Sequence, residues 1–251
     1  MTQLQYAPGL AGDLYHPSKS GKHPALVAVH GGGWQTGDKD FYQYWGPYLA
    51  QRGYALFSIN YRLAQAGKKT YPEAVEEVRA ALQFLRERDG IDAARIGLIG
   101  DSAGAHLAAL AALEEKIKVK AFIGVYGVYD MAAQWEQDLV RRPFDNVTQK
   151  FLGAGLIEDR RLYFEASPLS HATVERNKLA CLLVTGDEDD VVDRRTQTDA
   201  FLRALKQAGF FVRTVIVPGA GHFWMSDPLE DGNGFPAALA PRLVRFLQQR
   251  L

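Results

Sequence analysis

Gly100-Asp101-Ser102-Ala103-Gly104 sets a serine in a small-residue turn, between the apolar run Ile96–Ile99 and the helix-forming stretch Ala103–Leu113. In a strand–turn–helix setting such a turn is sharp enough to strain its central residue. It lifts the serine hydroxyl to the carboxyl edge of a sheet, where it can act as a nucleophile. A Cβ at position 100 or 104 would collide with the adjoining strand and helix, which accounts for glycine at both. The amino end of the following helix favours negative charge developing nearby. A plain turn with a capping serine fits the same five residues.

A serine nucleophile needs donors for the oxyanion it creates. His30-Gly31-Gly32-Gly33-Trp34 follows the run Ala25–Val29 and lets the backbone approach a ligand closely. The amides of Gly32, Gly33 and Ala103 are the expected oxyanion hole, the donor set that acyl transfer requires. A dinucleotide-binding loop fits poorly: after Gly31 and Gly33 the third glycine is missing, and no ribose-binding acid stands on a second strand.

The serine also needs a base and a carboxylate that orients it. Beyond the helix that follows the elbow, which holds His106, only His171 and His222 remain. His222 closes Pro218-Gly219-Ala220-Gly221-His222, just past the last strand expected, and is taken as the base. Gly186-Asp187-Glu188-Asp189-Asp190-Val191-Val192 follows the run Ala180–Val184 and offers four acids. The order Ser, Asp, His along the chain, each at a strand end, is one the strand–turn–helix nucleophile uses. His106 reads as a packing residue of its helix, His30 as a stabiliser of the glycine loop, and Cys181 as a buried, inert thiol. Trp34, Tyr44, Trp45, Phe223 and Trp224 flank these motifs; Trp34 and Trp224 are taken as substrate-pocket residues, with core packing as the competing role. No acids or histidines show metal-ligand spacing, so neither metal nor cofactor is expected.

These stations need a scaffold. Ala25–Val29, Tyr54–Ile59, Ile96–Ile99, Ala121–Val125, Ala180–Val184 and Val212–Val217 read as strands, most of them continuously apolar and so buried on both faces. Helical spacing marks Pro72–Arg88, Ala103–Leu113, Arg194–Ala208 and Pro236–Gln249. The alternation implies a mainly parallel sheet flanked by helices, an α/β fold. Residues 126–177 carry no strand pattern and are too long for an ordinary connection, so they are expected to form a small helical insertion acting as lid or pocket wall. The stations run nearly end to end, which implies one α/β domain over residues 1–251.

Composition narrows the rest. The 251 residues hold 29 Lys+Arg against 29 Asp+Glu, for a net charge of zero. Neutrality gives no footprint for nucleic acid. The apolar stretch Ile96–Leu113 contains Asp101, Ser102 and His106 and does not suit a bilayer span. One cysteine excludes an intrachain disulfide. Without a visible signal peptide a cytoplasmic protein is expected, or a secreted one if a leader preceded Met1. The oligomeric state is open.

The chain resembles the α/β-hydrolase superfamily, and within it the small esterase/lipase branch with an HGGGW motif, which includes acetylxylan and feruloyl esterase-like proteins. It also shares features with hormone-sensitive-lipase-like esterases. The resemblance is carried by His30–Trp34, Asn60-Tyr61-Arg62, Gly90-Ile91-Asp92, Gly100–Gly104, Tyr126–Asp130, Ala166-Ser167-Pro168, Gly186–Val192 and Gly219–His222. The family pattern G-x-x-D-x-x-V, counted from Gly186, puts the catalytic acid at Asp189 with Val192 in register. Ala105 replaces a second glycine found in many relatives. The oxyanion motif begins at residue 30, so the large amino-terminal cap of the hormone-sensitive-lipase branch is not expected. The resemblance implies a serine carboxylesterase for small-molecule short-acyl or carbohydrate-linked esters, with Ser102, Asp189 and His222 as triad. The alternatives are an arylformamidase-like amidase and a non-catalytic ligand binder on the same fold.

Overall fold

A computed structural model describes all residues, Met1–Leu251. Eight strands form one sheet: β1 (Thr2–Ala7), β2 (Leu10–Tyr15), β3 (His23–Val29), β4 (Ala55–Ile59), β5 (Ile91–Asp101), β6 (Ala121–Val125), β7 (Ala180–Gly186) and β8 (Phe211–Val217). Their order is β1-β2-β4-β3-β5-β6-β7-β8. From β4 to β8 every pairing is parallel, while β1 and β2 add an antiparallel edge. The six strands expected from apolar runs are β3 to β8. β1 and β2 lack such a run: β1 is a largely exposed edge strand, and Gly12-Asp13 interrupts β2.

Period-two alternation divides the core. Ala25, Val27 and Val29 of β3 join one apolar cluster, with α2 (Glu73–Arg86), α3 (Ala103–Ala112) and α7 (Thr198–Gln207). Leu26 and Ala28 point the other way, to α1 (Trp45–Ala50) and α8 (Phe235–Arg250). Residues 126–177 contain no strand; they form α4 (Met131–Arg141), α5 (Val147–Leu152), α6 (Arg160–Glu165) and two short 3-10 turns. No helix is long and apolar enough to cross a membrane.

This topology creates a crevice. From β3 the chain moves through α1 to β4 on one side; from β5 it moves through α3 to β6 on the other. Because β3 and β5 are neighbours, the connections leaving their carboxyl ends diverge to opposite faces of the sheet. Ligands bind α/β sheets at such a switch point. The glycine loop after β3 and the serine turn after β5 both sit there.

Candidate active site

Ser102 has φ 50° and ψ −121°, a left-handed conformation forced by the turn from β5 into α3. The turn works only because two side chains are missing. A Cβ on Gly104 would lie 2.0 Å from the Val29 carbonyl oxygen, and one on Gly100 would lie 2.5 Å from the Gly104 backbone. Strand β3 and helix α3 therefore approach to backbone contact beneath the serine.

The hydroxyl of Ser102 donates to His222 Nε2 at 3.0 Å. The other ring nitrogen, Nδ1, donates to Asp189 Oδ2 at 2.8 Å. Both the His222 and Asp189 side chains are almost wholly buried, at 1% exposure. Asp189 is turned inward by the amides of Val191 and Val192, which donate to Oδ1 at 2.9 and 3.0 Å. Its neighbours have other partners: Asp187 accepts the Gly219 amide at 2.6 Å, and Asp190 pairs with Arg141 at 3.3 Å. Glu188 is exposed. His222 is held between Tyr126 and Phe223, each with its ring centroid 4.4 Å away. The Tyr126 hydroxyl accepts the Met225 amide at 2.9 Å, which ties the histidine loop to the end of β6.

The glycine loop is fixed by its carbonyls. His30 Nδ1 donates to the Gly31 oxygen at 2.7 Å, and the Thr36 amide and hydroxyl donate to the Gly32 oxygen at 3.0 and 3.1 Å. In a trans peptide the next N–H points opposite to the carbonyl. The amides of Gly32 and Gly33 are thereby turned away from these donors. They have no acceptor within the protein and border the same cavity as Ser102 and Ala103. Gly32 has φ 113°, and a Cβ there would meet the Thr36 oxygen at 2.2 Å.

Asp101 anchors this loop. Its Oδ1 accepts the Gly31 amide at 3.1 Å and the Tyr42 hydroxyl at 3.0 Å. Burial pushes its carboxyl up to about 7, against the downward pull of those two bonds. Tyr61 donates to the His30 carbonyl at 3.0 Å and stacks on the His30 ring at 4.4 Å. Burial lowers His30 to about 4, so the imidazole is neutral while it braces the loop. Sequence alone does not single out Tyr42, and it places Tyr61 and Tyr126 in family segments without giving either a role. They come from three separate segments, and their partners are brought together only by the fold.

His106 is a packing residue: its Nε2 donates to the Ala166 carbonyl at 2.8 Å and its Nδ1 accepts the Trp34 indole N–H at 3.2 Å. Burial lowers it to about 4. His171 lies on a different groove and donates to the Glu165 carbonyl. Cys181 is fully buried, and burial raises its thiol. No group of three metal-ligating side chains exists.

The cavity over Ser102 measures about 310 Å³. Trp34 lines it while stacking on Phe151 of α5 at 4.7 Å. Trp224 does not line it. The positive φ of Phe223, 68°, reverses the chain so that Phe223 faces the cavity while Trp224 enters the core beneath, edge-on to Tyr126. Residues 126–177 supply one wall through Val128, Gln134, Asp138, Arg142 and Val147.

A strained serine at a strand–helix elbow, a buried His–Asp pair and free loop amides on a parallel sheet define an α/β-hydrolase. The chain belongs to the BD-FAE family, whose pattern matches residues 12–205. That span includes Ser102 and Asp189; His222 lies beyond it and is joined to them by the tertiary structure. Over 251 aligned residues the chain is 30% identical to esterase LipC of Mycobacterium tuberculosis, covering 90% of this chain and 58% of that one. It is 29% identical to an ethyl acetate hydrolase of Pseudomonas putida, covering 80% and 66%. The chain thus spans little more than half the length of curated relatives such as LipC. Among solved structures, carboxyl esterase 2 of Tuber melanosporum superposes with a TM-score of 0.77 at 25% identity, covering 96% of this chain and 82% of that one.

Proposed function

We propose that the chain is a serine carboxylic-ester hydrolase acting on small short-acyl or carbohydrate-linked esters. The observation that carries this reading is the continuous path from Ser102 Oγ through His222 to Asp189, with bonds of 3.0 and 2.8 Å, beside two unengaged loop amides. Ser102 attacks the ester carbonyl carbon as His222 Nε2 takes its proton. Asp189 keeps the proton on Nδ1 and stabilises the imidazolium that forms. The amides of Gly32, Gly33 and Ala103 hold the oxyanion. His222 then protonates the departing alkoxide, leaving the acyl group on Ser102. Water, deprotonated by His222, releases the acid and restores the serine. Each role is filled by a side chain or amide already in place.

The family and the ester-hydrolase names of LipC and the ethyl acetate hydrolase support the same chemistry. The test is hydrolysis of p-nitrophenyl acetate and butyrate, with fluorophosphonate labelling of the serine. Turnover lost in Ser102→Ala is the expected result; turnover retained there overturns the mechanism. N-formylkynurenine cleaved well above simple esters would move the reading to an amidase.

A further inference from the structure

Four polar side chains line the cavity wall supplied by residues 126–177. Gln134 and Asp138 lie on α4, Arg142 caps it, and Asp145 stands in the turn to α5. Positions 134, 138 and 142 are four apart and so share one helix face. Asp138, 2% exposed, accepts from the Thr148 amide and hydroxyl on Oδ2, at 3.0 and 2.8 Å. Its Oδ1 accepts the Gln134 amide N–H at 3.2 Å. Asp145 is paired with Lys150, and the neighbouring Arg141 is taken by Asp190.

Arg142 is left over. Its guanidinium has no acidic partner within 4 Å and no acceptor inside the protein, although it is half-buried beside the site. His222 is bonded on both ring nitrogens, and Asp138 and Asp145 are both engaged. The wall therefore carries one guanidinium whose donors are free, beside the Asp138 carboxylate, held by neutral donors, and Asp145, which feels the Arg142 charge; the other walls include Trp34, Val128, Val147, Val191 and Val192. A guanidinium presents a planar fork of donors that matches a carboxylate, and charge-assisted bonds of this kind are about twice as strong as neutral ones.

We infer that Arg142 is the anion-recognition residue of the active-site cavity, so that the preferred ester carries a carboxylate remote from its scissile bond. The inference rests on the esterase reading. The carboxylate can sit on the acyl or on the alcohol side of the ester, and Arg142 supplies the same recognition in either case. The apolar walls take the hydrocarbon that separates it from the reacting carbonyl.

The experiment compares matched pairs by pH-stat at neutral pH. Monoethyl glutarate against ethyl valerate places the carboxylate on the acyl side; 4-acetoxybutyrate against butyl acetate places it on the alcohol side. In one pair the charged ester is expected to be favoured in kcat/KM by about tenfold. Arg142→Gln should reduce that ratio to about one or below, mainly through KM, and Arg142→Lys should restore part of it. Neutral esters favoured in both pairs, or a ratio unchanged in Arg142→Gln, would overturn the assignment while p-nitrophenyl acetate is still hydrolysed. No hydrolysis of any ester, with no fluorophosphonate label on Ser102, would overturn the esterase reading and the subsite together.

Discussion

Asp101 is bonded covalently to Ser102 and through hydrogen to Gly31, whose amide it accepts at 3.1 Å. The nucleophile and the loop that must receive the oxyanion are thus tied to one side chain. Glycine loops are mobile unless held, and electrostatic stabilisation of an oxyanion depends on donors fixed before the reaction. Asp101→Ala should therefore lower kcat by about 10- to 100-fold with a much smaller change in KM, because the interaction lost is one made in the transition state. Asp101→Asn keeps an acceptor oxygen and should recover most of that loss. Steady-state kinetics on p-nitrophenyl acetate checks both; equal kcat in Asp101→Ala and the parent would refute the role.

The same carboxyl should shape stability against pH. Its folded value of about 7 exceeds the ordinary 3.8, so between those values the folded state keeps a proton that the unfolded chain has released. Its contribution to stability is complete below about 4 and is lost as pH rises to about 7. Asp101→Asn cannot ionise, so its Tm relative to the parent should climb from about pH 4 to about pH 7 and level off above that. Parallel Tm curves would show that the carboxyl does not titrate in this window.

His30 and His106 work in the opposite direction. Each is lowered from 6.5 to about 4 by burial, so in that interval the unfolded chain binds protons that the folded chain refuses. Their contribution is complete above pH 6.5 and is lost as the pH falls to about 4. His106→Gln should flatten part of the acid limb of the stability curve measured by urea titration. An unchanged limb would place acid sensitivity elsewhere.

Asp189→Asn should leave the fold intact and reduce kcat by about 10⁴-fold, since an amide cannot hold the imidazole in the required tautomer. Asp187→Asn and Asp190→Asn should stay within a few-fold of the parent, because those carboxylates bond to Gly219 and Arg141 rather than to the base. Comparable losses in all three variants would contradict the geometry.

Gly104→Ala should be costly far beyond its size. The added methyl would stand 2.0 Å from the Val29 oxygen, on backbone that cannot yield without moving β3 or α3. A loss of about 3 kcal/mol or more in unfolding free energy, or failure to accumulate as soluble protein, is expected. Gly219→Ala is the control: nothing stands within 4 Å, and only its φ of 70° opposes a side chain.

Much of this site could be read from residue order. The elbow around Ser102 and the loop at Gly32 and Gly33 are short motifs whose geometry is local, and apolar runs identified the interior strands β3 to β7, with the half-exposed edge strand β8 found by the same signal. The acid was harder. Asp187, Glu188, Asp189 and Asp190 are chemically alike in a string, and only the family spacing separated them. In the fold they separate because two amides reach Asp189 alone and turn it toward His222. Trp224 failed as a pocket residue for a related reason: one left-handed residue, Phe223, exchanged the directions of two neighbouring side chains.

The sequence by itself determined the chemistry proposed for the protein: a serine nucleophile, a histidine base, a carboxylate and glycine donors, in an order that suits strand ends of a parallel sheet. Those are properties of residue type and short spacing. Only the tertiary structure decided which groups are satisfied and which are free. It showed that His30, Asp101 and Tyr61 brace the loop, that His106 is fully bonded, and that Arg142 is left facing the cavity. A hydrogen-bond partner is a neighbour in space, and most of these partners lie far apart along the chain.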